Sequence, residues 1–203
     1  MNKLSFRLMA PFVVLSLSFP IFAAEKFPSP FGLEWGMSHA ELQAVGFSAP
    51  KPLEDFEYAT AVSAPKPWSQ GDAYFALTYK DKLVKAFVES KPITNDVYGS
   101  EGKALYSSVK SILVKKYGNP SNEFEHTGMK LYDDADEFYQ CLEYSGCGGY
   151  MASFSVSGGS IQVSIEGRRR GEGNIKITYE SPAFYNAKEA IDVQDAKSDS
   201  SAF

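Results

Sequence analysis

The sequence predicts an α+β fold, with helices packed on one face of an antiparallel sheet. Two observations lead to this prediction. Strand patterns, in which apolar and polar residues alternate around short turns, occur in both halves of the chain. A helical pattern precedes each group of strands, so the order of a helix and then a meander occurs twice. This order indicates two similar units, although the residues themselves show no convincing repeat.

The first residues have the pattern of a secretory signal peptide. Lys3 and Arg7 provide a positive start, an apolar run follows, and cleavage fits after either Ala23 or Ala24. We expect residues 1 to 24 to be removed and the mature protein to be soluble, in the bacterial periplasm or secreted. The competing interpretation is an uncleaved anchor. No later stretch is apolar enough to span a membrane.

The mature chain is acidic and long enough for one domain. Removing the leader takes away two basic residues and no acid, so the formal net charge changes from -5 to -7. Such a charge argues against non-specific nucleic-acid binding. We expect a single α+β domain at residues 25 to 193, with candidate subunits at 31 to 92 and 100 to 182. A disordered polar tail is expected at 194 to 203.

The first unit opens with the densest local signal in the chain, the stretch from Phe31 to Leu42. Ser38 and Glu41 have the spacing of a capping box and predict a short helix from Ser38 to Val45. Gly46 supplies its C-terminal stop.

A hairpin is predicted next, with strands at residues 73 to 79 and 83 to 89 around a polar turn. One face of its first strand is apolar and consists of Ala73, Phe75, Leu77 and Tyr79. An edge strand is predicted within residues 53 to 63, between two proline-marked loops.

The second unit has a longer predicted helix at residues 102 to 117. Its apolar stripe consists of Leu105, Val109, Ile112, Leu113 and Tyr117. A weakly patterned strand is predicted at 124 to 131. Asp134 and Glu137 then form a second cap-like pair before a short helix.

The C-terminal third has the clearest strand pattern, a three-stranded meander from Tyr150 to Tyr179. Its first turn is predicted at Gly158 and Gly159. A short terminal helix is predicted at residues 183 to 192.

The two cysteines, Cys141 and Cys147, lie in one short window. In an oxidising compartment we expect them to form a disulfide that clamps a turn. A redox-active pair is the alternative, but the spacing is not that of a C-x-x-C motif. Only His39 and His126 could add histidine ligands, so zinc is disfavoured.

The sequence contains no convincing catalytic constellation. Ser38 and His39 do not make a triad, because Ser38 is used as a helix cap and neighbours at a helix start point apart. Clustered carboxylates at residues 133 to 137 fit a helix start, since they lack the glycine and terminal glutamate of an EF-hand. We expect no cofactor, no metal and no enzyme activity.

Two features are candidate binding sites. Arg168, Arg169 and Arg170 lie between glycines at a predicted hairpin tip and could dock a carboxylate or phosphate. An exposed, flexible hairpin end is the plainer interpretation. Trp68, in a proline-flanked loop, is the aromatic side chain most suited to contact a partner.

The words Phe-Gly-Leu-Glu-Trp-Gly-Met-Ser, the Lys-Tyr-Gly-Asn-Pro helix end and the final Ile-x-Ile-x-Tyr strand resemble a set of small, mostly uncharacterised exported bacterial proteins. The element order is similar to the fold of β-lactamase-inhibitor-like proteins and of the small outer-membrane assembly lipoprotein. This chain departs from the latter because no lipoprotein cysteine follows its leader. The resemblance implies a protein-binding function and transfers no catalytic residue.

The leading hypothesis is therefore a non-enzymatic periplasmic protein that binds a protein partner, as an envelope factor, inhibitor or immunity-like protein. One alternative is a small-molecule or glycan-binding module that uses exposed aromatic side chains. The other is a hydrolase with an acidic site near residues 133 to 137.

Overall fold

The computed structural model describes residues 26 to 200. The predicted signal peptide lies outside the described residues. Within them, one antiparallel sheet of eight strands is accompanied by four α-helices, which confirms the predicted α+β class. None of the described helices is long and apolar enough to cross a membrane.

The first half of the chain is a short helix followed by four strands. Helix α1 spans His39–Ala44. Strands β1 to β4 span Lys51–Leu53, Phe56–Ala61, Gly71–Tyr79 and Lys82–Ser90. The strand predicted within residues 53 to 63 is present as β2, but it is not the edge. The short β1 takes the edge position instead. An edge strand tolerates Pro52, which has no backbone N–H to donate to a neighbouring strand.

The second half repeats this order with a longer helix and an insertion. Helix α2 spans Ser100–Tyr117 and strand β5 spans Asn122–His126. A 3-10 turn at Ala135–Glu137 leads into helix α3, Phe138–Glu143. Strands β6, β7 and β8 span Gly149–Val156, Gly159–Arg169 and Glu172–Glu180.

A final helix, α4, spans Pro182–Ser200 and is longer than the predicted terminal helix. It passes through much of the segment expected as a disordered tail from residue 194. After Pro182 this segment contains neither glycine nor proline, so nothing in it stops the helix.

The strand order is β1-β2-β3-β4-β8-β7-β6-β5, and every neighbouring pair is antiparallel. The last strands of the two halves, β4 and β8, are therefore neighbours. A two-fold rotation perpendicular to the sheet, between these strands, would exchange the two sets of four strands. The halves thus form one continuous sheet.

Helices α1, α2 and α3 lie on one face of this sheet, and the core between them draws side chains from both halves. Its members include Leu42, Tyr74, Val88, Tyr106, Leu113, Phe154, Val163 and Ile177. The predicted stripe of α2 is wrong at one position, since Ile112 is 59% exposed whereas Tyr106 is buried. The way α2 packs on the twisted sheet decides which of its residues are buried, and this cannot be read from their apolar character alone.

Three local predictions need correction. The turn between β6 and β7 consists of Ser157 and Gly158, because Val156 pairs with Gly159 and both turn residues have positive φ. The strand predicted at 124 to 131 ends at His126, and the chain then enters the insertion. The apolar face of β3 does not face the core, as described below.

Candidate functional site

The face of the sheet opposite α1, α2 and α3 is the first candidate surface, here called the open face. Side chains alternate along each strand, so the open face collects the outward residues of six neighbouring strands. They are half-exposed and comprise Tyr58, Thr60, Phe75, Leu77, Lys85, Phe87, Lys176, Gln162, Ser164, Met151 and Ser153.

An aromatic pair lies near the middle of this face. Phe75 and Phe87 are register partners on β3 and β4, and their rings stack with centroids 4.3 Å apart and planes inclined by 8°. The Lys176 ammonium lies 4.7 Å from the centroid of the Phe87 ring. The more apolar side of β3 thus points away from the core, while Tyr74 and Thr78 on its other side are buried.

Charged groups border the aromatic pair. Lys85 Nζ lies 2.7 Å from Glu180 Oε1, across the β4–β8 junction. A shallow depression of about 270 Å³ lies beside this ion pair and is lined by polar residues such as Gln162 and Ser164. Its volume is below the roughly 300 to 1,000 Å³ of ordinary small-molecule pockets. The shape favours a broad partner over a small ligand.

The first turns of α4 cover one side of the open face. The Phe184 ring lies 4.9 Å from Lys85 Nζ and 5.7 Å from the ring of Phe56. Tyr185 Oη donates a hydrogen bond to Glu180 Oε2 at 2.7 Å. Burial, and then the Glu180 carboxylate, raise the pKa of Tyr185 to about 12. This helix therefore limits where a partner could dock.

The three predicted arginines lie at the β7–β8 hairpin tip, and each already has an acidic partner. Arg168 Nη2 lies 2.8 Å from Glu89 Oε2, and Arg169 Nε lies 2.7 Å from Glu172 Oε2. Arg170 pairs with Asp136 of the insertion. The guanidiniums are more than half exposed. The tip is thus a set of surface ion pairs, in which an added anion would compete with carboxylates.

The two tryptophans are partly buried and pack against the core. Trp35 Nε1 donates to the carbonyl of Pro28 at 3.1 Å. The backbone N–H of Trp68 donates to the Tyr74 hydroxyl at 2.8 Å. The open face carries a separate group of half-exposed aromatic side chains, the stacked Phe75 and Phe87.

His39 lies among polar groups that could be mistaken for a catalytic set. Its Nε2 is 2.7 Å from Thr78 Oγ1, and its Nδ1 is 3.2 Å from Asp81 Oδ1. Thr78, however, is only 1% exposed, so a substrate could not reach its hydroxyl. Ser38 accepts the hydrogen bond from the backbone N–H of Glu41, as its predicted capping role requires. These contacts fix α1 to the sheet.

The insertion between β5 and β6 holds the disulfide and the acidic cluster. The Sγ atoms of Cys141 and Cys147 are 2.09 Å apart, which confirms the predicted pairing. Asp134 and Glu137 form a reciprocal capping box at the start of the 3-10 turn. Among residues 26 to 200, no group of three or more histidine, cysteine or acidic side chains could hold a metal ion.

A titratable cluster joins α2 to the edge strand β5. Lys110 Nζ lies 3.1 Å from Glu123 Oε1 and also contacts Glu125. Burial acts to raise the pKa of the Glu125 carboxyl, but its hydrogen bonds and the charge of Lys110 together outweigh burial, so the pKa is lowered. Each charged group has a partner, so we interpret the cluster as a clamp on the edge strand.

Comparison with known proteins supplies no relative from which a site could be transferred. No family model, curated protein or solved structure matches the chain significantly. The candidate site therefore rests on the geometry of this chain. Sequence reasoning missed Phe75 and Phe87, because alternation groups residues by face without showing which face meets the helices. Their position directly across a predicted hairpin was the one available signal.

Proposed function

We propose that this chain is an exported, non-enzymatic protein that binds a protein partner with the open face of its sheet. The observation that carries the proposal is the orientation of β3. Phe75 and Leu77 point outward and stay half-exposed, although the same strand places Tyr74 and Thr78 in the core. An antiparallel sheet with one solvated face ordinarily places its polar residues there.

The arrangement matches the anatomy of a protein interface. A stacked aromatic pair supplies the apolar centre, and the Lys85–Glu180 ion pair lies at its border. Aromatic side chains dominate binding energy when they become fully desolvated at the centre of an interface. The similarity of the element order to β-lactamase-inhibitor-like proteins and to the small outer-membrane assembly lipoprotein supports the same proposal.

The test is a capture experiment with two matched double variants. Phe75→Ser with Phe87→Ser removes the aromatic pair, whereas Met129→Ser with Ile112→Ser removes two exposed apolar side chains that lie in the insertion and in α2. We expect the wild-type chain to retain a specific protein from periplasmic extract. Affinity for that purified protein should fall by at least about a hundredfold in the first variant, which is about 2.8 kcal/mol, since a single hot-spot residue already costs about 2 kcal/mol or more.

The control variant should bind like the wild type. Circular dichroism of both variants establishes that the sheet is retained. The proposal fails if the wild-type chain captures no specific partner under several salt and pH conditions. It also fails if the two double variants bind the partner equally well.

A further inference from the structure

A cleft of about 560 Å³ lies on the helix-bearing side of the sheet, between the N-terminal segment and the end of α2. We call it the lysine cleft. The lining residues that matter here are Lys26, Phe31, Lys66, Lys116, Tyr117 and Tyr179. A neighbouring hollow of about 460 Å³ shares Lys26, Lys116 and Tyr117, which extends the accessible space. Both volumes are within the usual range of small-molecule sites.

The charge of this cleft is opposite to that of the chain. Its three lysines form no ion pair with any described residue, and Glu34 is the single acid among the lining residues. Among the described lysines only Lys85 and Lys110 have carboxylate partners, so what distinguishes the cleft is that three lysines line one concave site. A local excess of two positive charges therefore persists in a protein whose formal net charge is -5.

The wall of the cleft is held in one conformation by a strained turn. Leu33 N–H donates to the carbonyl of Pro30 at 2.9 Å, and both central residues have positive φ, 56° at Phe31 and 77° at Gly32. Positive φ is rare for a bulky residue and costs about 1 to 3 kcal/mol. The Phe31 ring offsets this cost by edge-on contacts, with centroids 5.6 Å from Tyr179 and 5.4 Å from Tyr74.

The same turn positions Lys66. Its backbone N–H donates to the carbonyl of Phe31 at 2.9 Å. The approach is so close that a Cβ on Gly32 would lie 3.0 Å from Lys66 Cγ. The Lys66 backbone is thus fixed beside Phe31, while its side chain is exposed at the rim of the cleft. Strained backbone of this kind is concentrated at ligand-binding sites.

The opposite wall carries the Tyr117 hydroxyl, which faces Tyr179. Burial first, and then the neighbouring Tyr117 hydroxyl through its charge and a hydrogen bond, raise the pKa of Tyr179. The two hydroxyls therefore form a polar patch in the cleft between its lysines and the Phe31 ring. Lys116 Nζ lies 5.1 Å from the centroid of the Tyr117 ring.

We propose that the lysine cleft binds a small organic phosphate whose apolar part packs against Phe31 and Tyr179. A phosphate monoester carries a charge of about -1.5 to -2, which matches the local excess of two positive charges. Lysine is a common phosphate ligand. The phosphate could belong to a free metabolite or to a lipid headgroup, and the two share this chemistry. The site is independent of the open face, which is on the other side of the sheet.

The test uses two probes, phenyl phosphate in solution and vesicles of phosphatidylcholine with or without phosphatidic acid. Lys66→Gln with Lys116→Gln removes two cleft charges, and Lys51→Gln with Lys197→Gln removes two exposed charges elsewhere. In phosphate-free, low-salt buffer we expect saturable binding to the wild type. Affinity should fall by about tenfold or more in the cleft variant only. This variant loses the charge-assisted hydrogen bonds that Lys66 and Lys116 donate to the phosphate.

The result also identifies the source of the phosphate. Binding of phenyl phosphate indicates a free metabolite, whereas binding confined to phosphatidic acid vesicles indicates a lipid headgroup. The proposal is overturned if neither probe binds saturably, or if both double variants weaken binding equally. Phe75→Ser with Phe87→Ser should leave the binding of either probe unchanged, which separates this site from the proposed partner surface.

Discussion

The two halves of the sheet share one order of elements but differ in what is added to it. Leu53 pairs with Phe56, so β1 and β2 are joined by a tight turn, whereas residues 127 to 148 separate β5 from β6 and include α3 and the disulfide. Helix α1 has 6 residues and buries Leu42, whereas α2 has 18 residues and buries a full stripe. The second half therefore supplies most of the helical cover.

The two halves also differ in their side chains on the open face, and here the first half has the larger, more apolar ones. The first half presents Phe75, Phe87 and Tyr58 on the open face, whereas the second half presents mainly polar side chains such as Ser153 and Gln162, together with Met151 and Lys176. Outward positions contribute little to the core, so folding leaves their identity almost free. The two halves have the same topology but different side chains on the open face. The aromatic side chains of the first half are therefore not explained by the requirements of folding.

The largest expected effect tests whether the halves are separate folding units. Phe154 on β6 is 1% exposed and belongs to the core shared by both halves. We expect Phe154→Ala to lower the free energy of unfolding by about 3 to 5 kcal/mol. Both tryptophans, Trp35 and Trp68, lie in the first half. Their fluorescence should nevertheless report the full loss, in one transition that coincides with the one seen by far-UV circular dichroism.

The control for this experiment is Ile112→Ala, which truncates an exposed side chain of α2 and should change stability by no more than about 0.5 kcal/mol. A tryptophan transition that stays at the wild-type denaturant concentration while circular dichroism shifts would show that the halves unfold independently.

The disulfide should have a smaller and more local effect. The loop between Cys141 and Cys147 is short, with a sequence separation of 6. Replacing both cysteines with alanine should cost about 2 kcal/mol, because little chain entropy is removed by so short a loop. Hydrogen exchange should accelerate mainly in residues 127 to 148, since the bridge joins α3 to the start of β6.

Reduction of the wild-type bridge should reproduce the same exchange pattern. Equal acceleration in β1 to β4 would contradict the view that the insertion is a local addition to a shared sheet.

Local signals explain what the sequence could predict. The Ser38–Glu41 box and the disulfide each depend on residues a few positions apart, and both were predicted and are present. The two-unit order followed from hydrophobic periodicity. Neither signal contains information on how distant segments meet.

Features set by long-range packing were therefore missed. The outward orientation of Phe75 depends on which side of the sheet the helices occupy. The lysine cleft assembles Lys26, Lys66 and Lys116 from three separate segments, so no spacing in the sequence marks it. The capping box within the N-terminal stretch was predicted, but the contact between the Phe31 turn and Lys66 joins distant segments and has no signal in the sequence.

The smallest expected effect concerns the cap of α1, which is matched by a second capping box in the other half. Ser38→Ala should lower the free energy of unfolding by about 1 kcal/mol.

Hydrogen bonds from the Ser38 backbone N–H and hydroxyl lower the pKa of the Glu41 carboxyl. A carboxyl with a lowered pKa in the folded state contributes stability above its unfolded pKa and loses it as the pH falls through the folded value. The difference between wild type and Ser38→Ala should thus shrink in acid. An NMR titration should show the Glu41 pKa moving upward in Ser38→Ala but unchanged in Asp134→Ala, which alters the second box. An unchanged pKa in Ser38→Ala would mean that the Ser38 hydroxyl does not bond this carboxylate in solution, because alanine keeps the backbone N–H that also lowers the pKa.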